Sequence, residues 1–123
     1  MSTAAELAGL AERIEEFGVV AYLITVGDDG RPHVVSVRVV WDNGDLVVGA
    51  GRHTLVNVEK RPEVTLLWPA HPGSGYGLIV DGTAAPIRDA EPALAIAPTS
   101  AVLHRTPEGD LSSPSCITLL PRP

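Results

Sequence analysis

The chain has 123 residues, a formal charge of −6 and one cysteine, Cys116. One cysteine excludes an internal disulfide, the acidic balance opposes nonspecific attraction to nucleic acid or anionic lipid, and an aromatic content of 4% argues against a base-stacking platform for single strands. The length suits one domain over residues 1–123, and with no signal-like leader and no apolar run of about 20 residues, a soluble protein of the reducing cytoplasm is predicted.

Leu7, Leu10, Ala11, Ile14 and Phe17 recur at helical spacing among Glu12, Arg13, Glu15 and Glu16, which predicts an amphipathic helix from Thr3 to Phe17. Thr3 and Glu6 fit a capping box, and Gly18 is placed to end the helix. VVAYLITV, from Val19 to Val26, reads as a strand, Gly27 to Gly30 as a turn, and PHVVSVRVVW, from Pro32 to Trp41, as a second strand. Two-residue periodicity sets Val35, Val37, Val39 and Trp41 on one face and Val34, Ser36, Arg38 and Val40 on the other. Arg38 therefore lies on a mostly apolar face. Surrounded by valines, its guanidinium is expected to find an anion or a network, or else a salt bridge or a dimer contact, because an unpaired buried charge costs several kcal/mol.

Asp42 to Asp45 reads as a tight turn into a third strand, Leu46 to Ala50, completing a meander. The next stretch, GAGRHTLVNVEKRP from Gly49 to Pro62, holds two glycines and an Arg-His pair before a short helix beginning near Thr54. Val64 to Trp68 is a fourth strand. Pro69 to Gly77 is too rich in Pro and Gly to be regular and reads as a surface loop. Leu78 opens a fifth strand that runs past Gly82 towards Ile87. Ala90 to Ala97 is predicted as a short helix with Pro92 in its first turn, Thr106 to Pro114 as a polar loop and Ser115 to Leu120 as the last strand. Many short strands and few helices predict a mainly β sandwich or barrel with its ends plugged by helices.

Chemistry-bearing residues are sparse. His33, His53, His71 and His104 lack metal-ligand spacing, and Cys116 has no partner nearby in sequence, so solvated histidines are the better reading. No serine lies in a Gly-x-Ser-x-Gly elbow, and Ser74 between Gly73 and Gly75 reads as loop composition. GAGRHT is neither a Walker A loop nor GxGxxG. It still offers an anion three things: a glycine at Gly51 that admits close backbone approach, the guanidinium fork of Arg52, and the free N–H groups of a helix start. The bland alternative is a solvated loop, with Lys60 and Arg61 complementing the helix C-terminus.

The helix, the hairpin ITVGDDGRPHVVSVRVVW, the segment GAGRHTLVNVEKRPEVTLLW and the strand LIVDGTAAPI follow one another from about Leu7 to Ile87. In that order and spacing the chain resembles the pyridoxamine 5′-phosphate oxidase-like split β-barrels, which bind FMN or the deazaflavin F420. The most specific piece is the small or basic loop, the short helix with Asn57, and Arg-Pro-x-Val running into a strand. The resemblance implies a homodimeric split barrel with its site between subunits. It implies that Val35, Ser36, Val37 and Arg38 lie along the flavin, that Gly49, Ala50 and Gly51 approach the ring or ribityl chain, and that Arg52, His53 and Thr54 receive the phosphate near Asn57. The 69–77 loop would complete the partner's pocket.

Many family members carry a lysine where this chain has Thr54, so Arg52, His53 and Arg38 are expected to supply the charge. The chain also lacks the Trp and Arg-rich ending of the oxidase itself, and pyridoxamine phosphate oxidation is not implied. What is implied is an FMN- or F420-dependent oxidoreductase acting on an unidentified small molecule, with no residue assigned to catalysis because the cofactor ring carries the hydride. The net charge and the lack of a second basic cluster slightly favour FMN over F420, whose tail is acidic. A noncatalytic carrier on the same fold is the alternative. Haem binding, with His53, His71 or His104 as ligand, is a third and weaker reading.

Overall fold

Hydrogen bonds from Glu6 N to Thr3 Oγ1 and from Thr3 N to Glu6 Oε1 close the capping box of α1 (Ala4–Phe17). Glycine ends the helix because Gly18 has φ 94°, a left-handed conformation costly for other residues. Leu10 and Ile14 form its buried stripe. The Thr3 bonds also hold the Glu6 carboxyl below its ordinary range, the backbone bond contributing most. The computed structural model describes residues 3–70, 72–89, 91–107 and 114–123. His71 and part of the expected 106–114 loop, residues 108–113, lie outside them.

The strands are β1 (Val20–Val26), β2 (Pro32–Asp42), β3 (Asp45–Gly49), β4 (Glu63–Trp68), β5 (Gly77–Ile87), β6 (Ala93–His104) and β7 (Cys116–Leu120), with α2 (Arg52–Lys60) between β3 and β4. All neighbours are antiparallel, in the order β3-β2-β1-β4-β5-β6-β7. A further pairing of β3 with β6 closes the first six of these strands into a barrel, the split-barrel architecture. The β2–β3 turn has Asn43 at φ 55° and Gly44 at φ 94°, as a two-residue type I′ hairpin requires. Inside lie Ala21, Leu23, Val37, Val39, Leu46, Leu66, Val80, Leu94 and Ile96. Trp68 is 1% exposed and its Nε1 donates to Gly18 O at 3.0 Å, which fixes the end of α1 to β4.

The helix predicted for Ala90 to Ala97 does not form. From Ala93 onward the chain is the strand β6, which pairs with β3, β5 and β7; Ala90 itself lies outside the described residues. Alanine favours helix in isolation, but Leu94 and Ile96 alternate inward at strand period and each is 0% exposed. The barrel needs this strand to close, and tertiary pairing overrides the local preference. Opposite it, β5 slips register between Asp81 and Gly82. A Cβ on Gly82 would stand 2.6 Å from Ile96 Cγ2 and 2.8 Å from Ala97 O, so only glycine fits against β6 there.

Arg38 also differs from the sequence-based premise of burial. Its strand face is the outer one, and Arg38 is exposed beside Val34 and Val40, both 55% exposed. Two-residue periodicity separates the faces of a strand, but with valines on both it does not say which one turns inward.

Candidate functional site

The β1–β2 hairpin and the start of α2 form the two walls of a cleft of about 690 Å³. Gly27, Asp29, Arg31, Pro32 and His33 line the hairpin wall, and Arg52, His53, Val56 and Asn57 line the helix wall. The hairpin turn is held by Gly30 N donating to Gly27 O at 2.9 Å, and by Arg31 N donating to Asp29 Oδ1 at 3.0 Å. Lys60 Nζ and Arg61 Nη1 reach back to Asp28 at 3.0 and 3.1 Å, so the C-terminal end of α2 is tied to the same turn. The bond from Lys60, followed by that from Arg61, holds the Asp28 carboxyl below its ordinary range. The two cations that resembled helix-end complements thus share one specific carboxylate, Asp28.

At the N-terminal end of α2, Gly51 is the N-cap and supplies no side-chain acceptor. The first helical bond runs from Leu55 N to Gly51 O at 3.0 Å, which leaves the N–H groups of residues 52–54 without intrahelical acceptors. Among the described residues Arg52 forms no ion pair. The His53 ring lies 6.0 Å from that of His33, centroid to centroid. Among the described residues His33 Nδ1, which is buried, has no hydrogen-bond partner, and such an orphaned atom costs about 1–3 kcal/mol when nothing else satisfies it. Asp29 is the one carboxylate among the lining residues, 3.9 Å from Arg31 Nε. Taken together, the walls favour an anion.

Arg52, His53 and Asn57, all singled out in the sequence, come together here. Thr54 is 2% exposed and does not line the cleft. Gly49, Ala50 and Gly51 lead into the helix, and Ala50 N donates to Pro92 O at 3.0 Å. A Cβ on Gly49 or Gly51 would meet no atom of the described residues within 4 Å, and Gly51 has φ −80°, so among these residues neither packing nor the Gly51 conformation demands glycine. Val35 to Arg38 continue along β2 away from the cleft, with Val37 buried and Ser36 and Arg38 exposed. Arg38 does not line it. Arg31 and His33 do, and sequence reading passed them over because some 20 positions separate them from Arg52. Their proximity follows from the Thr25–His33 pairing of β1 and β2 and from the seating of α2 on β1 through Asn57 and Thr25.

A second exposed feature is the outer face of the same two strands. Val20 at 53% and Tyr22 at 43% exposure lie beside Val34 and Val40, with Val20 opposite Arg38 and Tyr22 opposite Ser36. These four apolar side chains share one exposed face of the β1–β2 pair, interleaved with Ser36 and Arg38. Among the described residues no group of three or more His, Cys, Asp or Glu side chains is arranged to hold a metal ion, and no helix is long and apolar enough to cross a membrane.

The family model described as pyridoxamine 5′-phosphate oxidase matches residues 10–109. The uncharacterised protein MT0457 of Mycobacterium tuberculosis is 40% identical over 114 residues, covering 79% of this chain and 80% of that one. A Clostridium acetobutylicum protein related to general stress protein 26, of the pyridoxinephosphate oxidase family, superposes with TM-score 0.69 at 14% identity over 95% of each chain. An F420 reductase superposes with TM-score 0.60 at 20% identity, over 73% of this chain and 94% of its own. The two structures share the fold.

Proposed function

The chain belongs to the pyridoxamine 5′-phosphate oxidase family, and from that premise we propose that it is an oxidoreductase that binds FMN or F420 between two subunits and acts on a small organic substrate. The observation that carries this reading is the cleft at the start of α2, where Arg52, His53 and the free N–H groups of residues 52–54 converge. A phosphate suits such a donor set. The guanidinium offers a charged planar fork, and the helix start adds uncommitted N–H donors and a positive dipole end. The buried, partnerless Nδ1 of His33 supports a ligand on the facing wall. The vacant space over Gly49 and Gly51 supports close approach of a planar group to the backbone.

In this reading Arg52, His53 and Thr54 receive the phosphate, Thr54 through its backbone N–H since its side chain is buried. Asn57 holds the helix wall in place. Gly49, Ala50 and Gly51 border the ribityl chain, and Val35, Ser36, Val37 and Arg38 run beside the ring, which the partner subunit covers. When bound, the ring supplies hydride acceptance or donation, while the protein contributes position, electrostatics and exclusion of water. The absence of an acid–base pair in the sequence is no obstacle to this chemistry. The apolar outer face of β1 and β2 supports the homodimer.

The test is the absorption spectrum of the purified protein followed by titration with FMN and F420. Binding of either at micromolar concentration is expected, with hydride transfer to or from an acceptor panel. Failure of both to bind overturns the reading, and binding without turnover replaces the enzyme with a carrier.

A further inference from the structure

We propose that Cys116 is a reactive thiol with His104 as its base, and that a peroxide oxidises it to a sulfenic acid, which a small thiol then caps as a mixed disulfide. The site is separate from the cleft at α2, which neither residue lines. Cys116 has no partner nearby in sequence, but the antiparallel pairing of β6 and β7 sets His104 directly opposite it. Side chains opposed in this way have Cβ atoms about 4.5–5.5 Å apart, and here His104 Nδ1 lies 3.3 Å from Cys116 Sγ. A nucleophile and a base within hydrogen-bond reach is the arrangement that activates a thiol.

The pair sits on anchored backbone. His104 ends β6 and Cys116 opens β7, and the two residues before Cys116 are both tied down. Arg105 N donates to Ser115 O at 2.9 Å. Pro114 O accepts from the Tyr76 hydroxyl at 2.7 Å and from Arg105 Nε at 3.1 Å. These bonds hold sulfur and imidazole in one register, so little freedom is lost when they act together. Both side chains are exposed and open to a reagent. Unreactive free cysteine is usually buried as a small hydrophobe, a role that exposure denies to Cys116. His104 also borders a cavity of about 190 Å³ with Trp68, Gly75 and Gly77, which gives the capping thiol a place to lie.

With its own proton on Nε2, His104 takes the thiol proton at Nδ1 as the sulfur attacks one oxygen of hydrogen peroxide. The S–O bond forms and the O–O bond breaks. The imidazolium returns its proton to the departing oxygen, which leaves as water; sulfur is oxidised and the peroxide reduced. The chain has one cysteine, so no second thiol of its own can close a disulfide. An external small thiol condenses with the sulfenic acid, forming an S–S bond and releasing a second water.

The experiment treats the full chain with hydrogen peroxide at neutral pH, traps the sulfenic acid with dimedone and follows the adduct by intact mass spectrometry, with N-acetylcysteine as the unassisted standard. An unassisted thiol is only a few per cent thiolate at pH 7, so Cys116 is expected to react about tenfold faster than the standard. His104→Gln should lose most of that advantage, and Cys116→Ser should give no adduct. Supplying N-acetylcysteine in place of dimedone should yield the mixed disulfide. Both residues are exposed, so neither substitution should alter thermal melting. A wild-type rate equal to that of the standard overturns the proposal without recourse to any variant. An unchanged rate in His104→Gln, or an adduct that persists in Cys116→Ser, overturns it as well.

Discussion

Asn57 Nδ2 donates to Thr25 Oγ1 at 3.1 Å, joining α2 to β1 across 32 positions of sequence. Thr25 is 1% exposed, so its hydroxyl depends on this partner. Asn57→Ala leaves that group poorly satisfied, and a loss of about 1–3 kcal/mol is expected. Urea unfolding with an unchanged m-value checks it. A loss within about 0.5 kcal/mol, the range of ordinary surface changes, would show that other packing seats the helix.

Arg52 borders the same cleft, but among the described residues it makes no ion pair. Its removal should therefore affect binding and not folding. Arg52→Ala is expected to weaken FMN or F420 binding by about 1.5–3 kcal/mol, the contribution of a hydrogen bond to a charged group, with the melting temperature unchanged. Unaltered affinity in isothermal titration removes Arg52 from the site.

Asp28 gives the hairpin an acid sensitivity. Hydrogen bonds from Lys60 and Arg61 lower its carboxyl pKa in the folded chain, so the folded state binds this proton less readily than the unfolded state does. The stabilisation is present above the unfolded value of about 3.9 and is lost as pH falls through the lowered folded value. Asp28→Asn should unfold at lower denaturant than wild type at neutral pH, with the two converging in acid. A gap that stays constant with pH would assign the effect to something other than this charge.

Much of this arrangement was legible in the sequence where the signal was local. The Thr3–Glu6 box, the Asn43–Gly44 turn and the alternation of β1 and β2 all depend on neighbours a few residues apart. The strand β6, one of the six that close the barrel, was harder to read. ALAIA has only two large side chains, Leu94 and Ile96, and its alanines suit a helix until β3 and β5 flank them. The site divided in the same way. Arg52, His53 and Asn57 share one helix and could be named together, whereas Arg31 and His33 belong to it only through the hairpin register and the Asn57–Thr25 bond. The exposure of Arg38 was hidden because both faces of β2 carry valine.

That double-valine strand leads to the remaining prediction. Val34 and Val40 are each 55% exposed, on the same face as Val20 and Tyr22, while the opposite face carries the buried Val37 and Val39. Val34→Asp with Val40→Asp replaces good strand formers by poor ones on a half-exposed face, so a loss of up to about 1 kcal/mol each, with a lower melting temperature, is expected before any effect on the dimer. If this face is the subunit interface, each carboxylate must be desolvated against apolar side chains, at a cost of several kcal/mol. Light scattering at micromolar concentration should then give a dimeric mass for wild type and a monomeric one for the double variant. FMN or F420 affinity should fall with it if, as proposed, the partner subunit covers the ring. A double variant that remains a dimer places the interface elsewhere on the barrel, and a monomeric variant with full affinity separates the binding cleft from the dimer.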